Sequence, residues 1–298
     1  MDKEVKKKIA IGIPFLASSH IKALQLALLS INKYIGDVDV CILLDCSNKE
    51  LSEQFNVIDV LKCYPSIKFK YYTAESGRGK YKQALIDWCC LEMNYEYVII
   101  MHSDVFFYKD NILETLIEPL IKNDEYIATY WEMPLSEYKS TFHIGNNEKR
   151  MIIAPRICTW LFALNVARYR EYIKSNMEER EYAPFHGHYH FDINEENKYI
   201  KWIRDNYNSE VIEKYEYIFF DIGTFFRYDL DKKIIKGYSL GEEINPSFDS
   251  LKLKYRKEGF VHIEQFDPER FNDIFYKKDL LAERENILDE IITSILGG

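Results

Sequence analysis

Tyr97-Val98-Ile99-Ile100-Met101-His102-Ser103-Asp104 is an apolar run that ends abruptly on three polar residues. A strand with one wet face would carry a polar residue at every second position; this one carries none, so both of its faces are covered. Ile9-Ala10-Ile11-Gly12-Ile13 has the same texture. Working outward, residues 8–15 read as a first strand, 20–34 as a helix, 38–44 and 67–73 as further strands, and 80–93 as the helix leading into the quoted run. Such strands alternating with helices specify the α/β class, a mostly parallel central sheet flanked by helices. Right-handed crossovers then bring the strand C-termini to one edge, and in open sheets ligands bind just beyond that edge. The residues there are Pro14 and Phe15, Asp45-Cys46-Ser47-Asn48, Glu75 to Lys80, and His102-Ser103-Asp104, so polar groups converge on one crevice.

Past Asp104 the pattern loosens: a helix over 111–123, a strand over 126–131, a polar stretch over 134–150, and helices over 164–177 and 195–207. Asp267-Pro268-Glu269-Arg270 reads as a helix start, with Asp as cap and Pro in the first turn. Leu280, Leu281, Ile287, Leu288, Ile291, Ile292, Ile295 and Leu296 then trace a stripe at near-heptad spacing, suited to pairing subunits as a homo-oligomer or to packing on the domain itself. No Pro-, Gly- or Ser-rich linker divides the 298 residues, so the reading is one domain with elaborations. A net charge of -9 and the absence of interleaved basic and aromatic residues exclude a nucleic-acid track. A nucleotide is compatible, since a metal ion or a few local cations neutralise one pair of phosphates. The six cysteines lack CxxC spacing and several sit in apolar runs, which fits a reducing cytoplasm. Residues 1–17 imitate a signal peptide, but the apolar run is short, holds Gly12 and Pro14, and follows Asp2 and Glu4, so a first strand is preferred. No transmembrane segment is read, because no stretch reaches the roughly 18 apolar residues that span a bilayer.

The series Ile9 to Pro14, Val40 to Asp45, Ser76 to Asp87 and Val98 to Asp104 resembles, in order and spacing, the family 2 and related GT-A glycosyltransferases. There an N-terminal strand is followed by an acidic strand end that holds the nucleobase, a Gly-containing loop and helix, and an apolar strand ending in Asp-x-Asp. The resemblance covers residues 1–110 best. Downstream, Phe220-Asp221-Ile222-Gly223-Thr224 with Gly237-Tyr238 is similar to the family's acceptor region, and Phe260-Val261-His262-Ile263 to the C-terminal strand whose His reaches the metal in many relatives. The resemblance implies a GT-A-like domain over 1–266, with a nucleotide-binding half over 1–110, an elaborated acceptor half over 111–266, and a helical extension over 267–298. It implies transfer of a sugar from a UDP- or GDP-linked donor to a hydroxyl of a glycan, lipid-linked or protein acceptor, inverting and assisted by Mn2+ or Mg2+.

Hard cations prefer carboxylate and phosphate oxygens, so Asp104, helped by His262, is the candidate metal ligand; its ordinary reading is the cap of a turn. His102 stands where the family has its first acidic residue, and with Ser103 it can face a ribose or phosphate oxygen, or it is a structural histidine on a backbone carbonyl. Pro14, Phe15, Asp45, Arg78 and Lys80 complete the nucleotide set. Asp45 would accept from a uracil imide N–H, while an Asp at a strand end is also a common turn residue. Arg78 and Lys80 would meet the base or the diphosphate, or are exposed loop cations. Asp221 is the candidate base for the acceptor hydroxyl, because Ile218-Phe219-Phe220 and Ile222 give it apolar neighbours that raise a carboxyl pKa; the alternative is a helix cap. Trp160, His188 and Asp192 are placed at the acceptor.

Two other enzyme or binding classes stay open. Nucleotidyl transfer to a sugar phosphate uses a similar fold, but its Gly-rich, Lys-bearing N-terminal signature is absent from 9–19. His186, His188 and His190 at alternate positions would share one face of a strand and could clamp a transition metal, structural or catalytic, in a metal-binding protein.

Overall fold

A computed structural model describes residues 3–16, 21–45, 60–64, 66–72, 80–107, 110–131, 136–137, 142–144, 147–176, 182–242, 260–262 and 293. The main sheet has seven strands in the order β14-β6-β11-β4-β1-β2-β3. These are β1 (Ile9–Leu16), β2 (Asp39–Asp45), β3 (Ile67–Tyr72), β4 (Tyr97–Met101), β6 (Ile127–Trp131), β11 (Ile157–Asn165) and β14 (Gly237–Glu242). β1 is parallel to β2 and β4, as their unalternated apolar runs lead one to expect, and β2 is parallel to the half-buried edge strand β3, where Lys68 and Lys70 alternate with apolar residues. β11 alone runs against its neighbours β4 and β6. The sheet takes four strands from before residue 110 and three from after it.

Strand pleating sorts the core into two layers. Ile9, Ile11, Ile13, Val40, Ile42, Ile99 and Met101 face α1 (Ile21–Tyr34) and α3 (Ile112–Asn123). Ala10, Cys41, Leu43, Val98, Ile100 and Phe162 face α2 (Tyr81–Asp87), its π-helical continuation Trp88–Glu92, and α4 (Val166–Asn176). Gly12 lies on that second face, where a Cβ would stand 2.8 Å from Ile100 Cδ1 and 3.4 Å from Cys89 Sγ, so its missing side chain lets α2 sit close to the sheet. Each Leu or Ile fully buried here contributes about 1.5–3 kcal/mol.

A second sheet, order β12-β13-β10-β7, is made of β7 (Ser136–Glu137), β10 (Met151–Ile153), β12 (Tyr189–Asp192) and β13 (Tyr217–Phe220). α5 (Lys198–Asn206) and α6 (Thr224–Asp231) cover it through Tyr199, Trp202, Ile203 and Phe225. Two pairs complete the fold: β8 (Phe142–Ile144) with β9 (Asn147–Lys149), and β5 (Val105–Phe107) with β15 (Phe260–His262).

The sequence reading and the structure part most clearly at β11. Its nine residues lie inside the main sheet, whereas the sequence shows an apolar run and then a helix from Leu164; that helix starts at Val166 instead. A short apolar run has no period that separates a buried strand from a helix. Gly237-Tyr238, which the resemblance sets in the acceptor region, opens the edge strand β14 of the main sheet. The stripe over 280–296 and its pairing role lie outside the described residues, Thr293 excepted. Among the described residues no helix is long and apolar enough to cross a membrane.

Candidate active site

The strand order turns at β1, with β2 and β3 laid down on one side and β4 on the other, and the crevice of an open α/β sheet forms where the order turns. The β1–β4 register stops at Gly12↔Ile100, while β1 continues with β2 as far as Leu16↔Asp45. Pro14, which has no N–H to give a ladder, therefore falls where β1 has left β4. Pro14 and Phe15 lie within β1 rather than after it, and Phe15 is 1% exposed, so its ring belongs to the core. Asp45 ends β2 beside Tyr72, is almost fully buried, and its charge adds to the burial that raises the Tyr72 hydroxyl. Lys80 occupies the residue before the first turn of α2 and makes no side-chain cap bond there. Arg78 lies outside the described residues.

On the β4 side, the turn His102-Ser103-Asp104 is fixed by its backbone: the His102 N–H donates to Trp160 O at 2.9 Å and the Val105 N–H to His102 O at 3.2 Å. Ser103 is buried. His102 Nδ1 stands 4.0 Å from Asp104 Oδ1, and the Asp104 side chain is 15% exposed. His102 Nε2 meets Lys82 Nζ at 2.8 Å, and Lys82 Nζ also donates to Thr159 O at 3.0 Å. The β5–β15 register sets His262 opposite Val105, so its backbone lies beside the residue that follows Asp104.

A second carboxylate is held at the end of β13. β10 and β13 are parallel neighbours, and their C-terminal extensions bring Arg156 and Asp221 into an ion pair. β12 runs antiparallel to β13 with Tyr189 opposite Phe220, which sets His188 across from Asp221, Nε2 to Oδ1 3.6 Å. Asp221 Oδ1 also accepts from the Ile222 N–H at 2.8 Å. The sequence reading of an apolar surrounding is thus corrected. Ile218 and Phe220 point into the second sheet's core and Ile222 into the second layer of the main core, while the carboxylate turns toward a guanidinium and an imidazole. The helix cap is Gly223, not Asp221, although the Thr224 N–H does donate to Asp221 O at 3.1 Å.

Thr159 lies against residues that flank both carboxylates. A Cβ on Gly223, whose φ is +89°, would lie 2.7 Å from Thr159 Cγ2, and the carbonyl of the same Thr159 takes the Lys82 bond that leads to His102. α2 adds a further tie, because Gln83 Oε1 accepts from the Phe185 N–H at 2.9 Å and so anchors the loop before His186. Gly187 makes that loop fit: a Cβ there would come within 2.4 Å of Ile222 N and 2.9 Å of Asp221 C. Both are backbone atoms with no rotamer to yield. Gly187→Ala is expected to cost about 1–3 kcal/mol by overpacking, read as a lower urea midpoint at unchanged slope; an unchanged midpoint would show that the loop has room.

The three histidines do not share a strand face. β12 begins at Tyr189, so His186 and His188 precede it, and His188 adopts a left-handed φ of +66°, which breaks the alternation. His186 Nδ1 lies 3.3 Å from Tyr189 Oη, and His190 Nδ1, facing a thioether that can only accept, donates to Met151 Sδ at 3.2 Å. Burial, and then the Lys80 charge, hold His186 below the ordinary histidine range, and burial does the same to His190. Among the described residues no three His, Cys, Asp or Glu side chains are grouped to hold a metal ion. Asp192 is exposed at the far end of β12 from Asp221, where Oδ1 caps a turn by accepting from the Asn194 N–H at 2.8 Å. Trp160 is 5% exposed and packs in the first core layer, so its indole does not line an open acceptor surface; its carbonyl is what serves the site.

Lys82, Gln83, Thr159 and Arg156 escape the sequence reading. Lys82 and Gln83 carry a signal in hindsight: both are polar residues on the stripe that buries Leu85, Ile86 and Cys89, and a buried lysine or glutamine needs partners. Arg156 has no local signal, because strand register brings it to Asp221.

The sequence matches no protein-family model and no curated protein. Among solved structures, nucleotide-diphospho-sugar transferases and glycosyltransferases are matched. One is a protein named as a nucleotide-diphospho-sugar transferase from Desulfovibrio desulfuricans G20, at 12% identity and TM-score 0.42 over 96% of this chain and 98% of that one. Another is a mannosyltransferase from Pyrobaculum calidifontis, solved with GDP-Man and Mn2+, at 10% identity and TM-score 0.37 over 57% of this chain and 46% of that one. A third is the 4-diphosphocytidyl-2C-methyl-D-erythritol synthase of Anaerococcus prevotii DSM 20548, at 13% identity and TM-score 0.38 over 60% and 80%.

Proposed function

We propose that this chain is a glycosyltransferase that moves a sugar from a UDP- or GDP-linked donor to an acceptor hydroxyl. The observation that carries the reading is that Thr159 touches the surroundings of both carboxylates, its carbonyl taking the Lys82 bond beside His102 and its methyl packing against Gly223, two residues after Asp221. A displacement needs these two functions side by side: one to hold the departing diphosphate, one to take the proton of the incoming hydroxyl.

Asp45, buried at the end of β2, would receive the base through its imide N–H, with Lys80, just before α2, to meet the diphosphate. Asp104 offers a hard oxygen donor of the kind Mn2+ or Mg2+ takes, with His262 on the neighbouring strand; one carboxylate and the phosphates suffice for such an ion. When bound, the cation supplies Lewis-acid stabilisation of the diphosphate charge. Asp221 is the acceptor-side base: Arg156 fixes one of its oxygens, and the other faces His188, to which a proton can pass. Attack from the side of Asp221, away from the diphosphate, makes the transfer inverting.

Thermal-shift measurements with UDP and GDP, each with and without Mn2+, test the reading. A donor nucleotide at a hundredfold its Kd stabilises by about 2.7 kcal/mol, and the shift should grow with Mn2+. A response to CTP or UTP alone would favour nucleotidyl transfer; no response to any nucleotide overturns both.

A further inference from the structure

We infer that Gln83 is a positioning residue: its side-chain amide ties the donor-side helix α2 to the loop over 185–188, and so sets where His188 stands relative to Asp221. The catalytic consequence rests on the proposed role of Asp221; the anchoring of the loop does not. Gln83 is 4% exposed, and a buried amide needs a partner for its polar atoms. The Phe185 N–H, which can only donate, lies 2.9 Å from Oε1, so the oxygen is the atom of the amide that faces the loop. The nitrogen then faces two acceptors, Asp87 Oδ1 at 2.8 Å and Tyr169 Oη at 2.7 Å. Tyr169 Oη in turn donates to Asp87 Oδ1 at 3.2 Å, which closes a triangle of bonds between α2 and α4. Both N–H bonds of the amide are used there, so it cannot flip or swing without losing partners.

The loop carries that position to the acceptor side. Phe185 is fully buried, with its ring stacked on Phe162 of β11 at 5.2 Å and on Phe226 of α6 at 4.9 Å, so its side chain and its backbone are both held. The His186 N–H donates to Ala183 O at 3.1 Å, and Gly187 follows with no room for a side chain against Ile222 N and Asp221 C. His188 comes next with its left-handed φ of +66°, a backbone that persists in a non-glycine residue only where its surroundings impose it. On the donor side, Lys80 precedes Gln83 within one turn, and the Ala84 N–H donates to Lys80 O at 3.0 Å. One path of packed and bonded groups therefore runs from the residue proposed for the diphosphate to the backbone of the proposed base, through Gln83, Phe185 and Gly187. A displacement needs that fixed spacing between leaving group and incoming hydroxyl.

Gln83→Met keeps the length of the side chain and removes its bonds. In protein labelled with 15N-phenylalanine, with Phe185 assigned by comparison with Phe185→Leu, the Phe185 amide is expected to exchange its hydrogen slowly in wild type and about tenfold faster in Gln83→Met. Exchange in wild type as fast as in an exposed loop, or exchange unchanged in the variant, overturns the anchoring. With whichever of UDP-glucose, UDP-galactose and GDP-mannose wild type hydrolyses, water being the acceptor, Gln83→Met is expected to lower kcat about 10- to 100-fold at unchanged donor KM. The urea midpoint is measured beside it, since a Gln83 that serves stability alone lowers the midpoint and leaves the kcat of the folded protein intact; that result overturns the positioning role. If Gln83→Met does not fold, Tyr169→Phe, which removes one acceptor of the Gln83 amide and keeps the ring, takes its place, and unchanged Phe185 exchange in it overturns the anchoring. Failure of wild type to bind UDP or GDP and to hydrolyse any of the three donors removes the reading of Asp221, while the exchange result still decides the anchoring alone.

Discussion

Asp104→Asn is expected to remove the Mn2+-dependent part of the stabilisation by UDP or GDP and to slow sugar transfer about 10³-fold. That factor corresponds to about 4 kcal/mol of lost charge stabilisation on the leaving diphosphate, at about 1.4 kcal/mol per tenfold. Asparagine is the informative replacement. It keeps the size and the turn-forming oxygen of aspartate, so a residue that only shapes the turn between β4 and β5 would tolerate it with both nucleotide response and unfolding midpoint intact. What it removes is the charge beside His102 Nδ1. Nucleotide titration by calorimetry with and without Mn2+, together with urea unfolding, separates the outcomes. A Mn2+-dependent UDP or GDP response that survives in the variant would reduce Asp104 to a turn residue.

What the sequence shows and what it hides follow from the range of the interactions. Three of the parallel strands of the first half, β1, β2 and β4, are legible because burial on both faces writes itself locally, as runs such as Ile99-Ile100-Met101 with no polar alternation, while the half-buried edge strand β3 shows the alternation Ile67-Lys68-Phe69-Lys70. The strand ends, and with them Asp45 and the His102 to Asp104 turn, follow from the handedness of crossovers. β11 is not legible, because a nine-residue apolar strand paired with β4 and β6 has the composition of a buried helix. Nor is the second sheet, whose β10 and β13 are brought together from residues 151 and 217 by pairing that no local pattern announces. The same distance explains Asp221. Its neighbours in the chain are apolar, and its neighbours in space are Arg156 and His188. Alternating histidines look like a strand face until one of them, His188, takes a left-handed φ.

Asp221→Asn is the second large effect, and it requires a control because its carboxylate is also a structural partner. If Asp221 is the base, loss of its ability to take a proton lowers kcat about 10²- to 10⁴-fold while the donor KM holds, since the proposed nucleotide residues do not include Asp221. The same change strips Arg156 of its charge partner. The two side chains are 24% and 19% exposed, so solvent softens the penalty, and a loss of about 1–3 kcal/mol is expected. Arg156→Leu in the Asp221→Asn background removes the stranded guanidinium and is expected to restore much of that stability. Activity is the discriminating readout. A base cannot be rescued by relieving its former partner, so kcat must stay low in the double variant although the fold recovers. Recovery of kcat together with the urea midpoint would mean that Asp221 serves only to pin Arg156 and the end of β13, and the proton would have to be taken elsewhere, with His188 the nearest candidate.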